Sequence, residues 1–84
     1  MHYLYILQSL RDNGYYIGIT ENIEQRLKAH NAGKTKSLLA RLPVVLKHIE
    51  KYDTTTEARK REIQLKKNYQ LRKQLLTQLG FVLK

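Results

Sequence analysis

Five side chains in this sequence have the chemistry that phosphate hydrolysis asks for. Ala58, Glu62, Leu65 and Tyr69 fall at i, i+4, i+7 and i+11 of a helical pattern, which sets a carboxylate in the middle of the face expected to pack inward. A buried carboxylate without a partner is costly, so Glu62 needs a cation, a bound metal ion or a wet cleft. The plainer reading is an ion pair with a neighbouring lysine or arginine, or a stripe edge turned to solvent. Arg26 and His30 stand one helical turn apart and point the same way, so a phosphate could bridge them. Arginine offers a planar fork of donors, and histidine can orient a water or a phenol or carry a proton near neutral pH. As a bland alternative both are half-exposed flanks of an amphipathic helix. Tyr5 and Tyr16 bring two phenols, which by themselves are ordinary half-buried strand residues.

The elements that must position these groups can be read from the pattern. Residues 2–8 (HYLYILQ) and 15–19 (YYIGI) flank a turn containing Asp12, Asn13 and Gly14 and predict a β-hairpin. A two-residue turn at Asn13-Gly14 places odd positions of the first strand on the face of even positions of the second. Tyr3, Tyr5 and Leu7 then share a face with Tyr16 and Gly18, and the glycine leaves a gap above the sheet. Asn22 and Gln25 mark the start of a helix over about 23–32, with Ile23 and Leu27 buried and Gly33 closing it. Residues 34–42 (KTKSLLARL) show no clean period and predict a basic loop before Pro43, and VVLKHIEKY predicts a third strand over 44–52. Thr54 and Glu57 form a capping box for a second helix through about residue 67, and Leu71, Leu75 and Leu79 define a third that ends at Gly80. The expected class is α+β: a small antiparallel or mixed sheet of about three strands with about three helices, in the order β-β-α-β-α-α.

Composition bounds the partners. The 84 residues predict a single domain, and a chain this short removes about 60–65% of its unfolded surface from water, so one hydrophobic layer is expected. Sixteen Lys and Arg against seven Asp and Glu give a formal charge of +9, which favours a polyanion, nucleic acid before an anionic membrane. There is no cysteine, and the three histidines lack metal-ligand spacing, which excludes disulfides and zinc sites built on cysteine. No stretch approaches a membrane span, and the apolar start MHYLYIL is too short for a signal-peptide core. A cytoplasmic protein with no membrane partner is expected.

Tyr3-Leu4-Tyr5 in the first strand, Tyr16-Ile17-Gly18 in the second, and then Arg26, His30 and Glu62 resemble the GIY-YIG nuclease superfamily. The likeness covers nearly the whole chain and is nearest to small stand-alone bacterial members, similar to the catalytic module of the GIY-YIG excinucleases. YYIGIT, QRLKAHNAGKTKS and EARKREIQLKK carry it. The first motif is YLY rather than GIY, Leu38 and Leu42 stand where similar proteins tend to carry Thr or Ser and a basic residue, and Asn68-Tyr69 replace a more glycine-rich turn.

The resemblance implies a catalytic set of Tyr5, Tyr16, Arg26, His30 and Glu62. Within it, Tyr5 and Tyr16 are the motif tyrosines, Arg26 contacts phosphate, His30 assists a tyrosine and Glu62 holds a single Mg²⁺ or Mn²⁺. Gly18, Lys34, Lys36 and Arg41 are the expected nucleic-acid contacts. The mechanism expected from these roles has Tyr5, its pKa lowered by nearby cationic charge and by His30, taking the proton of the attacking water. Exchanging the two tyrosines fits nearly as well. The expected activity is metal-dependent cleavage of DNA, with RNA as the other candidate, by a monomer or weak homodimer without a small-molecule cofactor. A catalytically inactive nucleic-acid-binding module with the same fold is the alternative, and a protein-interaction adaptor is a third reading.

Overall fold

A computed structural model describes residues 1–82. Strands β1 (His2–Ser9), β2 (Tyr15–Thr20) and β3 (Val44–Tyr52) form one antiparallel sheet in the order β2-β1-β3. Helix α1 (Ile23–Asn31) and a 3-10 helix (Lys36–Arg41) lie between β2 and β3, and α2 (Thr55–Lys67) and α3 (Tyr69–Gln78) follow.

The central strand carries the run Leu4-Tyr5-Ile6-Leu7, buried throughout. Alternation sends these side chains to opposite faces. Leu4 and Ile6 pack with Ile17, Leu65, Leu76 and Phe81 on one side, whereas Tyr5 and Leu7 pack with Leu38 and Val44 on the other. The single layer expected from chain length is therefore two thin layers. The unbroken apolar run was the available signal, since a strand covered on both faces does not alternate.

The hairpin turn differs from the expected one. Its loop is organised by the buried Ser9 hydroxyl, which accepts from the backbone N–H of Arg11 and of Asp12, both at 3.1 Å, and donates to the Arg41 carbonyl at 2.5 Å. Tyr5 consequently pairs with Gly18, where a two-residue turn at Asn13-Gly14 would have set it opposite Asn22. A shift of four positions is even, so the shared facing of Tyr5, Tyr16 and Gly18 survives it. Residues 34–42 are not simply a loop, because Leu38 is fully buried and draws Lys36–Arg41 into a 3-10 turn. Tyr69 also departs from expectation: α2 ends at Lys67, so the ring begins α3 instead of extending the inward stripe of α2.

Two polar clasps fix the helices. The Asn31 side chain pairs with both backbone groups of Val44, at 2.9 and 3.0 Å, and ties the end of α1 to the start of β3. On the other face Glu50 accepts from Arg61 Nε (2.9 Å) and Nη2 (3.1 Å), from Tyr52 Oη (2.6 Å) and from His48 Nε2 (2.9 Å), which locks α2 against β3. Burial pushes the Glu50 pKa up, but the hydrogen bonds from Arg61, Tyr52 and His48, with the Arg61 charge, outweigh it and hold the carboxyl at about 2. A depressed carboxyl contributes fully above its unfolded value of 4.5, and the contribution is lost as pH falls from there toward 2. Glu50→Gln should therefore cost about 2–3 kcal/mol at neutral pH. Its melting temperature should also fall less than that of the wild type as the pH is lowered. Melts of both proteins at neutral and acid pH check this, and equal stability throughout would remove the clasp from any role in holding α2.

Candidate active site

Tyr5 stands in the middle of the central strand, 3% exposed, with its ring laid across Gly18 on β2. A Cβ built on Gly18 would lie 2.5 Å from the Tyr5 oxygen and 2.7 Å from Cζ. The expected gap above Gly18 is thus filled by the phenol, and that glycine serves the tyrosine's placement instead of standing open to nucleic acid. Gly18→Ala must push a buried ring off its position, and overpacking of this kind costs about 1–3 kcal/mol. It should also separate Tyr5 from its hydrogen-bond partner. A thermal melt reads the first effect and a cleavage assay the second; an alanine variant with wild-type stability would mean that the ring has room to move.

That partner is His30. Tyr5 Oη lies 2.9 Å from His30 Nε2, and His30 Nδ1 lies 2.6 Å from Thr35 Oγ1. His30 is 1% exposed, and α1 can hold it there because the Asn22 side chain caps the helix by accepting from Gln25 N at 3.0 Å while Gly33, at φ +81°, turns the chain away. Nothing in the sequence marks Thr35, which is one hydroxyl between two lysines. Tyr16 completes the group, with ring centroids 5.4 Å from His30 and 6.3 Å from Tyr5.

Arg26, one turn before His30, is exposed and has no acidic partner among the described residues. It borders a cleft of about 410 Å³ that His2, Thr20, Glu21, Gln25 and Thr55 also line. Glu62 on α2 has a side chain 13% exposed, between buried Ala58 and Leu65. Its carboxylate accepts from Lys66 Nζ at 3.2 Å and faces the Arg59 guanidinium at 3.9 Å, and both of these cations are exposed.

Electrostatics links these groups and overturns one expectation. Burial pushes the Tyr5 pKa far above the ordinary tyrosine range; the neighbouring Tyr16 and the Glu62 carboxylate add to the rise, and Arg26 opposes it without prevailing. The lowered phenol pKa expected from the cationic surroundings is thus reversed, because desolvation outweighs the arginine. His30 moves the other way: burial first, then the Arg26 charge, lower its pKa and keep the ring neutral at pH 7. All five expected catalytic residues therefore meet, Tyr5 with His30 by direct contact, Tyr16 by ring packing, Arg26 and Glu62 by charge.

The four expected nucleic-acid contacts do not behave alike. Lys34 and Lys36 are exposed beside the His30 end of α1. Arg41 is committed instead: its guanidinium donates to Asp12 at 2.8 Å and to the Tyr15 carbonyl at 3.0 Å, which braces the hairpin loop and leaves no free fork for phosphate. Leu38, at a position where similar proteins tend to carry a polar residue, is core. No helix among the described residues is long and apolar enough to cross a membrane.

The chain matches the model of the GIY-YIG catalytic domain over residues 1–74. It is similar to a UPF0213 protein of Bacillus licheniformis, 51% identical over 67 residues that span 79% of this chain and 68% of that one. A UPF0213 protein of Halobacterium salinarum is 36% identical over 77 residues, 90% of this chain and 99% of the relative. Among solved structures, the solution structure of a UPF0213 protein from Bacillus halodurans superposes with a TM-score of 0.56 at 31% identity, covering 95% of this chain and 85% of that one.

Proposed function

The chain belongs to the GIY-YIG catalytic domain family, and from that premise we propose that it is a divalent-metal-dependent endonuclease hydrolysing phosphodiester bonds in DNA. The observation that carries the reading is the buried chain of contacts from Tyr5 through His30 to Thr35, set between the charges of Arg26 and Glu62. A histidine kept neutral by burial and aimed at a phenol oxygen is arranged for proton transfer.

Two tautomers satisfy the contacts of His30. The productive one has Nδ1–H donating to Thr35 Oγ1 and the Nε2 lone pair accepting from Tyr5 Oη–H. Tyr5 then acts without first becoming a phenolate: as the attacking water gives a proton to Tyr5 Oη, the phenol's own proton passes to Nε2, and the water oxygen forms its bond to phosphorus as the leaving P–O bond breaks. Arg26 holds a non-bridging oxygen, and Tyr16 orients the phosphate. Glu62 is the residue that would hold Mg²⁺ or Mn²⁺, and when bound such a cation offsets the charge that builds on the departing oxygen. The donor set fits a hard cation: one oxygen-bearing side chain, and among the described residues no group of three or more His, Asp or Glu, which suits an ion that keeps most of its waters. Lys66 competes for the same carboxylate, so metal affinity should be weak before DNA arrives.

A small domain has little surface for reading bases, which favours structure-selective or weakly sequence-selective cutting. The test is incubation with single-stranded, duplex and branched DNAs, with and without Mg²⁺ or Mn²⁺. Metal-dependent cleavage of at least one substrate is expected, along with an affinity whose logarithm falls linearly with that of salt, Lys34 and Lys36 accounting for about one phosphate each. An inactive binding module gains support from one observation, the occupation of Glu62 by Lys66. Salt-sensitive binding without cleavage in any metal would favour that reading; binding indifferent to salt would sink both.

A further inference from the structure

Tyr69 is 56% exposed at the start of α3, where a large ring contributes little to the core. It is nonetheless held. The Arg72 guanidinium lies 5.7 Å and the Lys73 ammonium 5.8 Å from the ring centroid. Arg72 also donates to the carbonyls of Leu65 (3.2 Å) and Lys66 (2.8 Å), which are among the last of α2. One guanidinium thus ties the end of α2 to the ring that begins α3, and Asn68 sharpens the junction by capping α3, its side chain accepting from Leu71 N at 3.0 Å. The result is a fixed, outward-facing aromatic surface.

Its surroundings are cationic. Residues 59–73 contain seven Lys and Arg against the single acid Glu62. Arg61 is spent on Glu50 and Lys66 on Glu62, whereas Lys67 and Lys73 are exposed and have no acidic partner among the described residues. A held aromatic ring flanked by unpaired ammonium groups is what an unstacked base and its phosphates require. A folded protein partner would be expected to seek a broader apolar patch. The junction also continues into the proposed active site, since Lys66 is bonded to Glu62 itself.

We propose that the α2–α3 junction is a second nucleic-acid contact, where an unpaired base of a single-stranded segment stacks on Tyr69 and the adjoining phosphates lie against Lys67 and Lys73. This rests on the nucleic-acid reading above and names the feature of the substrate that the chain would favour: a single strand, or a duplex with an unpaired flank. A phosphate reaching the junction would also draw Lys66 away from Glu62.

The test is fluorescence anisotropy without divalent metal, using the full chain and an oligothymidine of about 12 nucleotides, beside a duplex of the same length. Tyr69→Ala should weaken single-strand binding roughly 5- to 100-fold, the alanine cost of one stacked base, while duplex binding changes little. Tyr69→Phe should bind as the wild type does. Lys67→Gln and Lys73→Gln should each lower the salt slope by about one. Equal single-strand affinity for Tyr69→Ala and wild type, or an equal loss on both DNAs, overturns the stacking site while leaving the nuclease reading intact. A wild-type chain that binds neither DNA overturns both.

Discussion

Replacing Tyr5 with phenylalanine is expected to lower cleavage by about 10²–10⁴-fold, the loss typical of a missing general base, while the fold persists. The ring across Gly18 stays, so the packing of β1 on β2 is kept. What goes is the oxygen 2.9 Å from His30 Nε2, leaving a buried ring nitrogen unpaired at a cost of about 1–3 kcal/mol. A modest drop in melting temperature should therefore accompany a large drop in rate. The pH profile gives a second reading. Because the relay needs neutral His30, whose pKa burial and Arg26 hold below the ordinary 6.5, the rate should climb with pH in the acid range and be level by neutrality. A base that had to ionise as phenolate would instead gain rate far into the alkaline range, given how far burial raises Tyr5. A Tyr5→Phe chain that cuts at the wild-type rate would move the base role to Tyr16 or to a water held directly by His30.

The placement of these residues was legible in the sequence to different depths. Parity of facing is a robust signal in a hairpin: the true loop moved Tyr5 from opposite Asn22 to opposite Gly18, yet the even shift kept both tyrosines on one side. Helix caps were equally readable, since Asn22, Thr54 and Gly80 act within a few residues of themselves. Contacts that join distant elements were not. Glu50 and Arg61 are polar residues of no special spacing until β3 and α2 are packed, and Thr35 acquires a role only once α1 has turned His30 inward. The sign of the Tyr5 shift was hidden for the same reason. Composition advertises cationic charge across the whole chain, but burial, which decides the phenol's pKa, is a property of the assembled sheet.

Glu62→Gln is expected to abolish metal-dependent cleavage while leaving stability within about 1 kcal/mol of wild type. The sequence alone offers a different contrast, in which a structural Glu62 would leave a buried cation unpaired and unfold the protein when neutralised. The partners found for it remove that outcome: Lys66 and Arg59 are 54% and 61% exposed and return to water when the carboxylate is gone. Such surface pairs contribute little. Twelve positions earlier, Glu50 has the opposite character, four hydrogen bonds and a guanidinium that stays half-buried without it. The two Glu→Gln substitutions, one made on α2 and the other on the strand that α2 is tied to, should therefore separate cleanly. Glu50→Gln lowers the melt; Glu62→Gln removes the reaction, and by taking a negative charge from beside the phosphate it should keep or tighten DNA binding. Melts, anisotropy and a cleavage assay on one preparation of each variant give the comparison. A Glu62→Gln chain that still cuts DNA in Mg²⁺ would leave α2 without a metal ligand and end the case for an active site built on this carboxylate.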